Sequence, residues 1–569
     1  MLRRSTAGVL AASTTDFPAS PATSAPAQAS TARARAGSPY AARNFYLALA
    51  AGCLLIGALS LLIPSTPSYD PWSWLLWARE ILHGQLTITT GGTSWKPLPM
   101  IFTIPAALFG KAAPDLWLVI ARAGALAAVV MVFRLAYHVT RQVGGLFGDA
   151  GDDGGRLAAI APALLAGVIG AVSLALSASG GFVSSNALGY SEGLATALLL
   201  IAIERHLDGK PRQAFAVGLF VALDRPEIWL FWGPYGLWLF WKDPGARMLV
   251  AASAVLVLIC WFVPVYLGCG SFSCSVTRAV HPRSNSLAFA SNPLEAELSR
   301  AAWPTMLLRI KVVATLLVLA VAGILWRGWR REGGAGLRTP ANRTRVTAAL
   351  IGLGGLAWFV VIAVMTQAGF SGNNRYLVLG AALVDICGAV GFGWAAAELA
   401  VLMPRLLRPA RRARSASTTA VGDGRRWASV ALLALIFLVG PNWVGSNLIS
   451  IPRTHGSLVY QAHLRQGMSA IIARFGGAKK VLACGRVMTE GFQVPMVAWT
   501  LGVSVTRIEA SPTTGAEPGP APNLILQTRD TRSAHRLPFL SSWPAVSYHY
   551  VGTSGPVHMF TYSCSGTST

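Results

Sequence analysis

The chain is poor in charge. Only 12% of its 569 residues are Asp, Glu, Lys or Arg, where soluble domains carry about 25%. A chain that is 53% hydrophobic, with a mean hydropathy of +0.51, cannot present a surface to water. That excludes an ordinary soluble enzyme and predicts a polytopic α-helical membrane protein. Acids are scarcer still, 23 against 47 bases, and the formal net charge of +24 is nearly all arginine. The arginines gather between hydrophobic segments and not along a basic face with recognition motifs. Nucleic acid is therefore not an expected partner, and positive cytoplasmic loops are. Zinc-spaced Cys and His, a Walker loop and a nucleophile elbow are all missing, and His83, His281, His455, His463 and His549 show no ligand spacing. Residues 5–42 lack the apolar core of a signal peptide. Made of Ala, Ser, Thr and Pro with scattered Arg, they read as a disordered cytoplasmic tail. Abundant Ala, Gly and Arg with little Lys is the composition of a high-GC bacterium such as an actinobacterium.

What is there is a series of apolar runs long enough to span a bilayer, or nearly so. They are Phe45–Ile63, Trp117–Arg141, Leu157–Ser177, Leu188–His206, Met248–Leu267, Met306–Trp326, Val346–Gln367, Tyr376–Leu399 and Trp427–Ser446. Between Gln213 and Trp241 an apolar stretch is interrupted by Asp224-Arg225-Pro226-Glu227; Pro226 breaks a continuous helix, which predicts two short helices meeting at a charged turn. Met100–Phe109 is short and proline-rich and reads as an interfacial helix. The total is about eleven spans. With that count, the arginine-rich tail and the loops after Trp326 and Met403 all fall on the cytoplasmic side. Cys53, Cys260 and Cys387 lie in spans, and Cys269, Cys274, Cys484 and Cys564 fall outside, where disulfides persist. Of three connectivities, Cys269–Cys274 and Cys484–Cys564 keep each pair within one segment. Three domains follow: a tail over 1–44, a multi-spanning domain over 45–450, and a soluble extracytoplasmic α/β domain over 451–569. In the last, helices over Ser457–Phe475 and Glu490–Leu501 alternate with strands at Lys480–Cys484, Ser504–Ile508, Asn523–Gln527, Val546–Val551 and Val557–Tyr562, ending in a hairpin at Gly555-Pro556.

The residues able to carry chemistry converge on one face of this topology. Tyr69-Asp70-Pro71-Trp72 follows the first span. Asp70 reads as the N-cap of a helix Trp72–His83 with Pro71 at its first position, and equally as a general base facing a cleft. Lys96, in Ser94-Trp95-Lys96-Pro97, is either a snorkelling anchor or a point charge for a phosphate. Arg122 near a span end, and Glu192 near a helix N-terminus, each have a structural reading as well. Arg225 pairs with Asp224 or Glu227, or reaches a phosphate. Arg375, after Gly369-Phe370-Ser371-Gly372-Asn373-Asn374, suits a bidentate phosphate contact.

With these motifs the chain resembles the GT-C superfamily of polyprenyl-phosphate-sugar-dependent glycosyltransferases. The resemblance rests on Tyr69-Asp70-Pro71-Trp72, the Lys96-to-Pro99 segment leading into an interfacial helix closed by Gly110, Arg122, Glu192 and the Leu223-to-Glu227 turn. It covers Phe45 to Trp241 well and the later spans in outline. It implies a membrane glycosyltransferase that moves a sugar from a polyprenyl-phosphate donor to an acceptor hydroxyl of a glycan, lipid or protein. Asp70 is then the catalytic base and Glu192 the second carboxylate. Lys96, Arg122, Arg225, Glu227, Arg375, Trp72 and Trp95 are the expected substrate contacts. Many members carry paired acids in the first loop; here Pro71 stands beside Asp70, so no metal ligand is expected, with a divalent cation (Mg or Mn) the open alternative. Two other readings remain, a transporter or flippase of lipid-linked sugars and a non-catalytic envelope scaffold.

Overall fold

The computed structural model describes residues 39–88, 93–143, 160–176, 181–280, 282, 286–302, 306–334, 339–406, 451–511, 519–531, 536–540 and 543–564. The expected span Trp427–Ser446 and most of the N-terminal tail lie outside these residues. Residues 1–51 and 52–569 form two compact units. Of the first, residues 39–51 begin helix α1 (Pro39–Leu59).

In the second unit the chain after α1 runs through α2 (Tyr69–Leu82), α3 (Pro97–Ala107), α4 (Ala113–Gln142), α5 (Ile160–Leu176), α6 (Phe182–Ala187), α7 (Glu192–Leu207), α8 (Pro211–Ala222) and α9 (Trp229–Lys242). Then come α10 (Arg247–Cys269), α11 (Cys274–Ala279), α12 (Pro293–Ala302), α13 (Met306–Glu332), α14 (Pro340–Gln367) and α15 (Val378–Leu406). Among the described residues, 6 helical segments are long and apolar enough to cross a membrane: Ala42–Leu62, Gly110–Gln142, Pro244–Cys269, Val312–Arg330, Pro340–Gln367 and Asn374–Glu398. Their outward side chains are apolar, Leu55 62% and Leu267 71% exposed, which needs a hydrocarbon surround. The protein is a multi-pass membrane protein. The expected count of about eleven is not reached by length alone. Leu157–Ser177 and Leu188–His206 form helices of 17 and 16 residues, and Gln213–Trp241 forms α8 and α9 of 12 and 14. As Pro226 predicts, α8 and α9 meet at the Asp224–Glu227 turn.

The C-terminal segment holds α16 (Ile451–Arg474), α17 (Gly477–Ala483) and α18 (Val494–Leu501) around strands β1 (Val487–Thr489), β2 (Ile508–Ala510), β3 (Leu524–Gln527), β6 (His549–Ser554) and β7 (Val557–Thr561); β4 (Asp530–Thr531) and β5 (Leu537–Pro538) make a separate pair. The main sheet runs β2-β1-β3-β7-β6, with β1 parallel to both β2 and β3 and with β7 antiparallel to β3 and β6. Lys480–Cys484, expected as a strand, is helical, and the strand comes three residues after it; five residues of mixed pattern do not separate the two states. Ser504–Ile508 likewise forms a single 3-10 turn before β2. Disulfides join Cys269 to Cys274 and Cys484 to Cys564.

This α/β segment does not stand apart. Trp72, Leu75 and Leu76 of α2 share one buried core with Met468, Ile471, Val497 and Leu501. Arg79 of α2 lies with its guanidinium 4.9 Å over the Trp499 ring and donates to the carbonyls of Trp499 (3.0 Å), Ala498 (3.4 Å) and Val503 (2.8 Å). It thereby adds a charged donor to the last-turn carbonyls and meets the negative dipole end of α18. Beside it Glu80 is buried where Ser504 and Val505 approach, and accepts from the Thr87 amide at 2.9 Å. Burial pushes its carboxyl above the usual carboxylate range, against the amide and Arg79. The folded state thus holds this proton more tightly than the unfolded chain. Its stabilising effect is complete below the ordinary Glu pKa and is lost as pH rises through the raised folded-state value. Protection factors of the α18 amides, which remove the intrinsic pH dependence of exchange, should therefore fall across that window in the native chain and stay flat in Glu80→Gln; the same fall in Glu80→Gln contradicts this.

Candidate active site

The site is built at one end of the helix bundle. Small residues allow the close approach that starts it: at Gly124 of α4 a Cβ would lie 2.6 Å from the Leu194 Cα, and at Gly193 of α7 it would lie 2.7 Å from the Ala125 Cα. Only glycine lets α4 and α7 cross this tightly. The crossing fixes the N-terminus of α7, where the Gly193 amide donates to Asn186 Oδ1 at 2.8 Å, and Glu192 sits fully buried beside it. Lys96 is extended, as the residue before Pro97 must be, and the next amide but one, Leu98, donates to the Leu223 carbonyl at 2.9 Å. That bond draws Lys96 to the Asp224–Glu227 turn.

Around Glu192 the charges interlock. Arg225 donates through Nη2 to Glu192 Oε1, with Asp224 Oδ2 and Glu227 Oε1 each 3.8 Å from its guanidinium. Lys96 Nζ lies 3.7 Å from Glu192 and 3.8 Å from Asp224, and donates to Ser191 Oγ at 3.2 Å. Arg375, from the turn before α15, donates through Nη2 to Asp70 Oδ2 at 2.5 Å while its Nε lies 3.6 Å from Glu192. Thr93 completes Asp70, donating to Oδ1 at 3.2 Å, and Ser73 donates to Thr93 at 3.1 Å. Aromatic faces hold the cations flat: Arg375 lies 4.0 Å over Tyr190, Arg225 4.4 Å over Tyr376 and Lys96 5.6 Å over Trp74. Four carboxylates (Asp70, Glu192, Asp224, Glu227) thus meet three cations (Lys96, Arg225, Arg375).

The cluster is not internally satisfied. Arg375 Nε and Nη1, Arg225 Nε, Glu192 Oε2 and both Asp224 oxygens are buried with no hydrogen-bond partner among the described residues. Buried polar atoms left this way carry a desolvation cost of about 1–3 kcal/mol each and mark a place where a polar ligand or water fits. Among the described residues no group of three or more His, Cys, Asp and Glu is placed to hold a metal ion, and the carboxylates here face cations.

Behind the Arg375 turn α12 acts as a brace. Arg300 donates to the Gly372 carbonyl, and a Cβ at Gly372 would lie 2.5 Å from Glu297 Oε2. Burial pushes the Glu297 carboxyl up, opposed by Arg300. Glycine at 372 lets the turn lie against this acid and Thr366 without displacing either side chain.

The structure thus brings together Asp70, Lys96, Glu192, Arg225, Glu227 and Arg375. It corrects the N-cap reading of Asp70: the N-cap is Ser68, and Asp70 is the second residue of α2, its carboxylate taken by Arg375 and Thr93 and not by backbone amides. Arg122, Trp72 and Trp95 do not join the cluster. Arg122 gives its donors to Ala187, Ser60 and Ser65, pinning the loop that carries Tyr190. Trp72 packs towards Trp499 under Arg465. Trp95 donates to the Cys260 carbonyl at 2.9 Å and packs on Trp77. Sequence reasoning gave no role to Tyr190, Tyr376 and Thr93 and took Asp224 only as a pairing partner of Arg225; Tyr376 follows Arg375 directly and lies under Arg225, while Tyr190 lies under Arg375. A separate cavity of about 600 Å³, lined by Leu61, Pro64, Ser65, Arg465, Gln466 and Ser469, includes none of the clustered residues.

No family model matches the sequence, and no curated protein matches it. The chain is similar to two crystal structures of ArnT from Cupriavidus metallidurans. One is bound to undecaprenyl phosphate (12% identity, TM-score 0.43, covering 92% of this chain and 98% of that one) and one is in the apo state (13% identity, TM-score 0.44, covering 92% and 98%).

Proposed function

We propose that this protein is a membrane glycosyltransferase that moves a sugar from a polyprenyl-phosphate donor to an acceptor hydroxyl at the extracytoplasmic face. One observation carries the reading: a buried cluster in which a carboxylate, Asp70, is held by a cation, Arg375, that still has unpartnered donors. The sequence resemblance supports the same activity. In this reading Lys96 and Arg375 hold the donor phosphate, with Arg225 locked behind them by Glu192 and Asp224. Arg375 covers Asp70 Oδ2; a phosphate that draws the guanidinium through Nε and Nη1 exposes that oxygen. Asp70 then accepts the proton of the acceptor hydroxyl as its oxygen attacks the anomeric carbon. The bond from that carbon to the phosphate oxygen breaks, and the electron pair leaves on the polyprenyl phosphate, where Lys96 and Arg375 stabilise the developing charge. One displacement inverts the anomeric centre. The orientation that this requires puts the N-terminus in the cytoplasm and residues 451–569 outside.

The test is to incubate the purified chain in liposomes with a panel of radiolabelled polyprenyl-phosphate sugars and extracted envelope acceptors. The expected result is label in a covalent, lipid-free or newly glycosylated product with release of polyprenyl phosphate. Label that stays on the polyprenyl phosphate with every donor and acceptor contradicts the reading.

A further inference from the structure

The carboxyl edge of the C-terminal sheet reaches the first loop, and the mechanism above makes no use of it. Strands β1, β2 and β3 are parallel, so their carboxyl ends share one edge. The chain leaves β1 for β2 on one side and returns for β3 on the other, so the order reverses between β1 and β3. Ligands of open α/β sheets bind in the crevice outside the strand ends at such a reversal. Here that crevice is lined by Glu490, directly after β1, and Thr528, directly after β3. Thr528 donates to Glu490, its Oγ1 lying 2.9 Å from both carboxylate oxygens, and the Gln493 amide donates to Glu490 as well. Thr489 in turn donates to Gln493 at 3.3 Å. A carboxylate held by two neighbours is fixed in direction before any ligand arrives.

Between them Phe492 is 57% exposed, and its ring meets Tyr69 edge-on at 5.4 Å. Tyr69 is the residue before Asp70. The edge therefore carries an exposed aromatic side chain, an oriented carboxylate, an amide and hydroxyls, and Phe492 touches the residue next to the candidate base. An aromatic face takes the C–H side of a pyranose or furanose ring, and an oriented carboxylate accepts from its hydroxyls. Glu490 disfavours an anionic ligand.

Resting on the transferase reading for its biological meaning, we propose that this crevice binds a neutral, hydroxyl-rich oligosaccharide, the acceptor glycan, and presents its terminal hydroxyl towards Asp70. The wild-type full chain in detergent, without donor, is tested on an array of neutral, amino and acidic oligosaccharides, and the best neutral ligand is titrated by calorimetry. Neutral oligosaccharides are expected to bind, Glu490→Gln and Phe492→Leu to weaken the Kd about tenfold, and Phe492→Tyr to retain binding. Absence of neutral binders, preference for acidic ones, or a wild-type Kd in both Glu490→Gln and Phe492→Leu overturns the proposal. Glycan binding that follows these variants while no donor supports sugar transfer upholds the crevice and defeats the transferase reading instead.

Discussion

Replacing Asp70 with asparagine is expected to lower sugar transfer about 10²- to 10⁴-fold, the range for loss of a positioned general base, with the protein still folded. Asparagine keeps the shape and can still accept from Thr93, which donates to Oδ1 at 3.2 Å in the native chain. It cannot take a proton. Arg375 keeps a charge neighbour, since Glu192 lies 3.6 Å from its Nε, so the cluster loses one of four carboxylates without collapsing. The loss should fall on kcat and leave the donor KM nearly unchanged, because Lys96 and Arg375 remain to hold the phosphate. Full kcat in Asp70→Asn, measured with a properly inserted protein, removes Asp70 from the chemistry.

Glu192→Ala is expected to be the most damaging change to stability in the cluster. Glu192 is fully buried and is, among the described residues, the one acid that faces Lys96, Arg225 and Arg375 together. Its removal leaves buried guanidinium charge without its nearest partner, a change that costs about 3–5 kcal/mol when a buried pair is broken. Glu192→Gln keeps the volume and an acceptor for Arg225 but not the charge, and should fall between the two. Thermal unfolding in detergent, followed by tryptophan fluorescence, should order the proteins wild type, Glu192→Gln, Glu192→Ala from most to least stable. Equal unfolding temperatures for wild type and Glu192→Ala contradict the picture of Glu192 as the electrostatic centre of the site.

Much of this cluster was legible in the sequence because charge is so costly beside lipid. In a chain this apolar, Asp70, Lys96, Glu192, Arg225 and Arg375 stand out one by one, and the arginine pattern puts them on one face. What the sequence could not show was who pairs with whom. Asp70 beside Pro71 satisfies every local rule for a helix cap, yet its partner is Arg375, 305 positions away. Arg225 was expected either to pair with its neighbours in the turn or to reach a phosphate; Asp224 and Glu227 do lie 3.8 Å from its guanidinium, and the partner the sequence could not name is Glu192 of α7, which accepts its hydrogen bond. Trp72, Trp95 and Arg122 stand out in the sequence for the same reason as the clustered residues, as polar or aromatic groups near an interface. Their hydrogen bonds and packing are with the scaffold. In the C-terminal segment the short elements were the hard part: a strand of 3 residues such as β1 carries too little pattern to fix its register, whereas the closing hairpin around Gly555 was readable from its turn and alternation.

The central claim is a single displacement at the anomeric carbon with polyprenyl phosphate as the leaving group. It is tested most directly by resolving the product. The reconstituted chain is supplied with a polyprenyl-phosphate sugar of defined anomeric configuration and ¹³C at the anomeric carbon, and the product is read by NMR alongside the lipid by mass spectrometry. Inverted configuration in a new glycoside, with one polyprenyl phosphate released for each sugar transferred, is the predicted result. Retained configuration, or the intact lipid-linked sugar recovered from the opposite leaflet with no glycoside formed, would contradict the account.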